Sequence, residues 1–330
     1  MFKKKLKKTF IIAEIGNNHE GSFEIAKKLI IEAQKCGVDA VKFQTFDTKN
    51  YISKIDSKRF KRNKKFELSN NQFIKLSQLT KSKGMKFIST PFDIKSAEFL
   101  SKIVDVFKIS SGDNNYKLLI EKILSFKKTT LISTGLLTEK EIFDLKNFIY
   151  RKVNNFNLIW FLHCVSCYPV SADSANLNFI KKMISKISPN VGYSDHTLGI
   201  VAPIIAVTYG AKIIEKHFTL DNNFSNFRDH KVSLNPENMK KMVQNIKDAE
   251  KMISKNILKI SYEEKKNIKS MRRSLYINKS KKKYEKINLE DLLMVRPEKY
   301  FKANDYKKII GKKLKKNIDI NLPLKRKHFS

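Results

Sequence analysis

Cysteine is scarce. Three cysteines in 330 residues, an odd number, exclude a disulfide framework and fit a chain kept in a reducing cytoplasm. The C-x-x-C at 164 to 167, "CVSC", has no second pair and begins inside an expected strand, which argues against a zinc or redox centre. Long apolar runs are also missing, and no stretch approaches the ~20 residues that a membrane-spanning helix needs. The start "MFKKKLKKTFIIAEIG" joins a basic segment to an apolar one. That run stops at Glu14 and no small-residue cleavage site follows, so neither a signal peptide nor a membrane partner is expected. Acidic side chains are few, 32 against 67 Lys and Arg, for a formal charge of +35. Such a balance ordinarily points to nucleic acid or an anionic surface. Here the excess is mostly lysine, spread from "MFKKKLKK" to "PLKRKHF" rather than gathered with arginine and aromatics on one segment. No nucleic-acid partner is expected, although the field would help to attract an anionic substrate.

What is present is enough hydrophobic residue, 41%, to build a real core. From residue 10 to about 255 short apolar β-type runs alternate with amphipathic helical stretches. The runs are "FIIAEIG", "AVKFQTF", "KFISTPF", "VFKISSG", "TTLISTG", "LIWFLHC", "NVGYSDH" and "KIIEKHF"; between them lie stretches such as "EIAKKLIIEAQKCG", apolar at three and four spacing. This count and length predict an α/β fold, a (β/α)8 barrel. A doubly wound open sheet would want a glycine-rich phosphate loop after its first strand, and "EIGNNHEG" is not one. The pattern changes near "KNILKISYEEKKNIKSMRR", read as a linker, and "RRSLYINKS", "INLEDLLMVRP" and "IIGKKLKKNIDINLPL" predict a small β-rich domain. The expected division is 1–262 and 263–330.

In such a barrel the chemistry sits at the C-terminal ends of the strands. These ends are polar here: Glu14 with Asn17, Asn18 and His19; Lys42 and Gln44; Ser89 and Thr90; Lys108, Ser110, Ser111 and Asp113; Ser133 and Thr134; His163 and Ser166; Ser194, Asp195 and His196; Glu215 and His217. Of the six histidines, five (His19, His163, His196, His217, His230) fall at or just beyond strand ends and His328 lies in the tail. His196 and His217 end consecutive strands, about 4.8 Å apart, so both imidazoles can reach one ion. Asp195-His196 is therefore read as a metal corner. Two nitrogens without thiolates suit Mn2+, Mg2+ or Zn2+, with positions left for water and substrate. Lys42 and Lys108 point into the same mouth, where hydroxyls of Ser133, Ser166 and Ser194 can complete a cradle for phosphate and carboxylate. A phosphorylated acid is implied as substrate; a Schiff-base role for either lysine is the competing reading.

Taken in order, "IIAEIGNNHEGS", "VDAVKFQT", "KGMKFISTPFD", "FKISSGDNNY", "LISTG", "LHCVSCYP", "VGYSDHTLGI", "GAKIIEKHFTLD" and "DHKVSLNPENM" resemble the sialic acid synthase family, which includes N-acetylneuraminate, legionaminate and pseudaminate synthases. The tail "RRSLYINKSKKKYEKINLEDLLMVRP" is similar to that family's C-terminal SAF (antifreeze-like) domain. The resemblance implies a TIM barrel that condenses phosphoenolpyruvate with an open-chain N-acylated amino sugar, an N-acylmannosamine, to a nine-carbon 2-keto acid and phosphate. It implies His196 and His217 as ligands of a divalent metal, Mn2+ ahead of Mg2+ or Co2+, and Glu14 as the catalytic carboxylate. Lys42, Thr90, Lys108, Ser133, Ser166 and Ser194 fall on phosphoenolpyruvate-side positions, Ser111 among the substrate-binding residues, and Asp113 and Asp229 where the sugar is held. Arg296 matches the SAF arginine that reaches the sugar in a partner's barrel, which implies a domain-swapped homodimer. "DHKVSL" leans toward a neuraminate or legionaminate product over pseudaminate.

Overall fold

The computed structural model describes residues 6–253 and 259–329. Residues 1–5 of the basic start and 254–258 of the expected linker lie outside these. The chain divides into two compact units, Met1–Ser254 and Lys255–Ser330, a division that falls ahead of the expected one at 262/263.

In the first unit eight parallel strands close into a barrel: β1 (Phe10–Gly16), β2 (Ala40–Thr45), β3 (Lys86–Pro91), β4 (Val106–Ile109), β5 (Thr129–Ser133), β6 (Ile159–Cys164), β7 (Val191–Asp195) and β8 (Ile213–His217). Every expected run supplies one. Around them lie α1 (Phe23–Lys35), α2 (Thr48–Tyr51), α3 (Ser57–Phe66), α4 (Asn70–Ser82), α5 (Ile94–Leu100), α6 (Lys117–Ser125), α7 (Glu139–Tyr150), α8 (Phe179–Lys186), α9 (Val201–Thr208), α10 (Arg228–Val232) and α11 (Pro236–Ile253). The helices start where the chemistry of the cap directs them: Ser22 accepts from Ile25 N–H, and Ser69 and Thr138 form reciprocal capping boxes with Gln72 and Glu141.

Because strand side chains alternate, each strand sorts its residues between two cores. Outward residues such as Ile11, Phe43, Phe87, Phe107, Phe161 and Ile214 pack against buried helix residues, for example Leu29, Leu76 and Ile120. Inward residues nearer the strand starts, Ile12, Ala40, Ile88, Val106, Leu131, Trp160, Leu162 and Ile213, form a separate apolar plug inside the barrel. Above that plug the inward positions turn polar. Register brings Glu14 opposite both Lys42 and His217, and Ser194 opposite both Glu215 and Cys164. An apolar floor under a polar mouth excludes water from below and leaves one accessible face for chemistry.

In the second unit α12 (Tyr262–Met271) replaces much of the expected linker, because Ser261 caps it and forms a capping box with Glu264. The antiparallel pair β9 (Ser274–Ile277) and β10 (Leu292–Val295) takes two of the expected runs. The third, "IIGKKLKKNIDINLPL", contributes isolated bridges such as Tyr276 with Pro323 and Lys281 with Ile318. Leu275, Ile277, Ile287, Ile309, Leu314, Ile318, Leu324 and Phe329 make this unit's own core. No helix among the described residues is long and apolar enough to cross a membrane.

Candidate active site

The polar mouth of the barrel is a pocket of about 290 Å³. At its base two lysines and two carboxylates from β1, β2, β4 and β8 form one buried cluster. Lys42 Nζ lies 2.9 Å from Glu14 Oε2, 3.7 Å from Glu215 Oε1 and 3.3 Å from Thr90 Oγ1. Lys108 Nζ donates to Glu215 Oε1 at 3.2 Å, and Ser194 Oγ donates to the same oxygen at 2.9 Å. Gln44 donates to Glu14 at 3.3 Å and accepts from Asn17 at 2.8 Å.

Burial and pairing pull these groups in different directions. Burial would raise Glu215, but Lys108 and Lys42 outweigh it and hold that carboxyl at about 2. Glu14 goes the other way: burial, with help from the Glu215 charge, pushes it up against the pull of Lys42. Burial lowers Lys108, while for Lys42 the two carboxylates overcome burial and raise it. The mouth therefore holds a carboxylate kept ionised by two lysines, beside a second carboxyl that burial raises.

One wall of the mouth is lined by hydroxyls. Gly135 lies where an added Cβ would come within 2.5 Å of Ser166 Oγ and 2.6 Å of Ser111 Oγ, so no side chain fits between those hydroxyls. Among the described residues, Ser133 Oγ is buried there with no hydrogen-bond partner, and Glu215 Oε2 and His217 Nδ1 share that state. Buried polar atoms are mostly hydrogen-bonded, so these three are open to a water, an ion or a substrate group.

Opposite stand the two imidazoles, ring centroids 5.3 Å apart. His196 Nδ1 donates to Val165 O at 3.0 Å, so in the neutral ring Nε2 is left as an acceptor; burial lowers His196, but its contacts with Cys164 outweigh burial and raise it. Burial and the positive charges around it push His217 well down and keep it neutral. Side-by-side nitrogens with these properties fit a divalent cation. Among the described residues no group of three or more His, Cys, Asp or Glu is arranged to hold a metal, so a bound cation would have only this pair as protein donors and would leave positions open to water and substrate.

Glu14, Lys42, Thr90, Lys108, Ser111, Ser133, Ser166, Ser194, His196, His217 and Asp229 all line the pocket; Asp113 does not, its carboxylate accepting instead from Ser110 Oγ. Arg296 follows β10 in the second unit. Asp195 requires correction: it is no metal corner. It ends β7 on the outward side of the barrel, fully buried, with its Oδ2 2.6 Å from Lys216 Nζ. Three of the five strand-end histidines also turn away from the mouth. His163 donates to Ala175 O at 2.9 Å, His19 packs against Phe43, and His230 meets Glu20 at 3.3 Å.

Several lining residues were not singled out from the sequence. Tyr51, Arg59 and Arg62 come from α2 and α3, while Tyr168 and Arg228 stack with the guanidinium 4.6 Å from the ring centre. Cys164 also lines the pocket, 3.4 Å from Ser111 Oγ; all three cysteines are free thiols. Cys164, Gln44 and Glu215 were legible as inward positions of their strands. The loop residues carried no such periodic signal.

Along most of its length the chain is similar to known proteins. A sequence profile of the NeuB family matches residues 29–258. The chain is 35% identical to the N,N'-diacetyllegionaminic acid synthase of Legionella pneumophila over 97% of its own length and 94% of the relative's. It is 34% identical to the pseudaminic acid synthase of Campylobacter jejuni over 98% and 97%. Among solved structures, the N-acetylneuraminic acid synthetase of Leptospira borgpetersenii, in complex with citrate, superposes with a TM-score of 0.73 at 31% identity, covering 79% of this chain and 90% of that one. With a barrel of this architecture, a mouth of this composition and relatives named as synthases across nearly its whole length, the chain is an enzyme and belongs to the NeuB family.

Proposed function

We propose that the enzyme condenses phosphoenolpyruvate with an open-chain N-acylated amino sugar to give a nine-carbon 2-keto sugar acid and phosphate. The observation that carries this reading is the junction of an anion cradle with two imidazoles across a lysine–carboxylate cluster, which lets an anionic three-carbon unit and a sugar carbonyl meet in one mouth. Lys42 and Lys108 supply fixed charge for the carboxylate and phosphate, and Ser111, Ser133 and Ser166 supply donors to its oxygens. Gln44, Tyr168 and Asp229, which line the mouth, hold the sugar. His196 and His217 would hold a divalent metal, Mn2+ being the favoured ion, which when bound supplies a Lewis acid for the sugar carbonyl. The enol carbon attacks the carbonyl carbon, water adds at the former enol ether carbon, and phosphate leaves. Glu14, raised by burial, takes up and returns the proton of that water.

The relatives' names support a legionaminate- or pseudaminate-type product as much as a neuraminate-type one, so the acceptor is proposed at the level of an N-acylated amino sugar. A homodimer whose second unit, an SAF domain, brings Arg296 to the partner's mouth is part of the same proposal, as is work in the cytoplasm. The Schiff-base alternative is disfavoured because both lysines are paired with carboxylates rather than free to attack a carbonyl. The test is phosphate release from phosphoenolpyruvate with Mn2+ and a panel of N-acylated and diacetamido sugars. Release that depends on one of the sugars supports the reading. Borohydride-trapped adducts on Lys42 or Lys108 with no phosphate release would replace it with the aldolase.

A further inference from the structure

The ion pair of Asp195 and Lys216 lies outside the pocket and takes no part in the steps above. Both side chains are fully buried at 0% exposure in the layer between barrel and helices, with 2.6 Å between Oδ2 and Nζ. Buried ion pairs seldom stabilise a fold beyond what well-packed apolar residues of equal volume would contribute, so stability alone is a weak reason for one here. Its position suggests another. Asp195 immediately precedes His196, Lys216 immediately precedes His217, and the two stand opposite each other in the β7–β8 ladder.

We propose that Asp195 and Lys216 are positioning residues that set the spacing and orientation of the His196 and His217 imidazoles for a shared divalent cation; this rests on the metal reading above. The carboxylate belongs to one backbone neighbour of His196 and ties the other. Thr197 N–H donates to Asp195 Oδ1 at 2.8 Å, Thr197 Oγ1 donates to Oδ2 at 3.1 Å, and Tyr193 Oη donates to Oδ1 at 2.8 Å. Lys216 Nζ closes the frame by donating to Thr197 O as well as to Asp195. His196 is thus bracketed on both sides by groups anchored to one carboxylate, while the cation of the same pair anchors the residue before His217.

The backbone oxygens of both histidines are also held, His196 O by Val170 N–H at 3.0 Å and His217 O by Leu234 N–H at 2.8 Å. The pair is the link that runs from one strand end to the other. Without it each histidine keeps its own loop contacts, while β7 and β8 are left with the strand ladder and the apolar packing of residues such as Tyr193 and Ile214. Two ligands from one protein leave little tolerance, because an error in their separation is not averaged over further donors. Residues that orient metal ligands from behind commonly contribute tenfold to hundredfold in affinity.

The experiment compares Mn2+ binding to metal-stripped protein, by titration calorimetry and by the electron paramagnetic resonance spectrum of bound Mn2+, in wild type, His217→Ala and the double variant Asp195→Leu/Lys216→Met. The double variant removes both charges together and leaves neither one buried alone. The expected result is a thermal midpoint close to wild type, a loss of Mn2+ affinity of about tenfold or more, an altered spectrum, and a fall in turnover with the phosphoenolpyruvate KM unchanged. Wild-type affinity and spectrum in a folded double variant overturn the inference and leave the metal reading standing. If wild type and His217→Ala bind Mn2+ alike, the metal reading fails and takes the inference with it. Should the double variant not fold, Tyr193→Phe, which removes one hydrogen bond from Asp195 and unpairs no charge, serves instead. A loss of about threefold is then expected, and no change overturns the inference.

Discussion

Lys42 touches both carboxylates of the mouth, and Lys108 only Glu215. If both act as fixed charges for an anionic substrate, Lys42→Ala and Lys108→Ala each raise the phosphoenolpyruvate KM by about tenfold to a hundredfold, the loss of one charge-assisted contact worth ~1.5–3 kcal/mol, and change the sugar KM far less. Initial-rate kinetics with each substrate varied in turn check this; equal effects on both would show a shared structural role. Glu215 makes a separate prediction about acid stability. Its folded-state pKa is about 2 against an ordinary 4.5, so its contribution to stability is complete above pH 4.5 and is lost as pH falls toward 2. Denaturant unfolding of wild type and Glu215→Gln should therefore converge as pH falls through that window. A difference that stays constant from neutral pH down to about 2 would show that the lysines do not depress this carboxyl.

At the scale of the element, β7 shows how a strand pays attention to both its faces. Gly192 points inward at the level of the apolar plug, where an added Cβ would lie 2.5 Å from Leu162 Cδ2 and 2.7 Å from Ile213 O. Gly192→Ala should destabilise the barrel by ~1–3 kcal/mol through overpacking, read as a lower midpoint in urea unfolding, although alanine has the better intrinsic preference for ordered backbone. A midpoint at or above wild type would mean that the strand shifts to accept the methyl. The strands and long helices were legible because two-residue and 3.6-residue spacing of apolar side chains is a property of local sequence. The short α3 was not: its described buried side chains are only Asn63 and Phe66, too few to set up a period, yet it carries Arg59 and Arg62 to the pocket. The linker helix α12 escaped for a similar reason, since none of its residues is buried and its start is set by the Ser261 cap.

At the scale of the whole molecule, the proposed exchange of second units between subunits has a direct test. Inactive His217→Ala and inactive Arg296→Ala proteins are mixed under conditions of demonstrated subunit exchange. Half the dimers are then mixed and each has one intact composite site, so roughly a quarter of wild-type activity should return. No recovery would mean that Arg296 serves no neighbouring barrel.

The sequence by itself determined the eight strand–helix units, the closed barrel they form, and the end of it that carries chemistry. Those follow from periodicity and from the polarity of strand ends. It also placed Glu14, Lys42, Lys108, His196 and His217 in one mouth, because inward positions on parallel strands converge whatever the loops do. Only the tertiary structure decided which polar strand ends face inward. Asp195 and His196 are adjacent in sequence, yet the carboxylate turns out to Lys216 while the imidazole turns in beside His217. A one-residue step at a strand end reverses the side of the barrel, and composition carries no record of where the alternation stops.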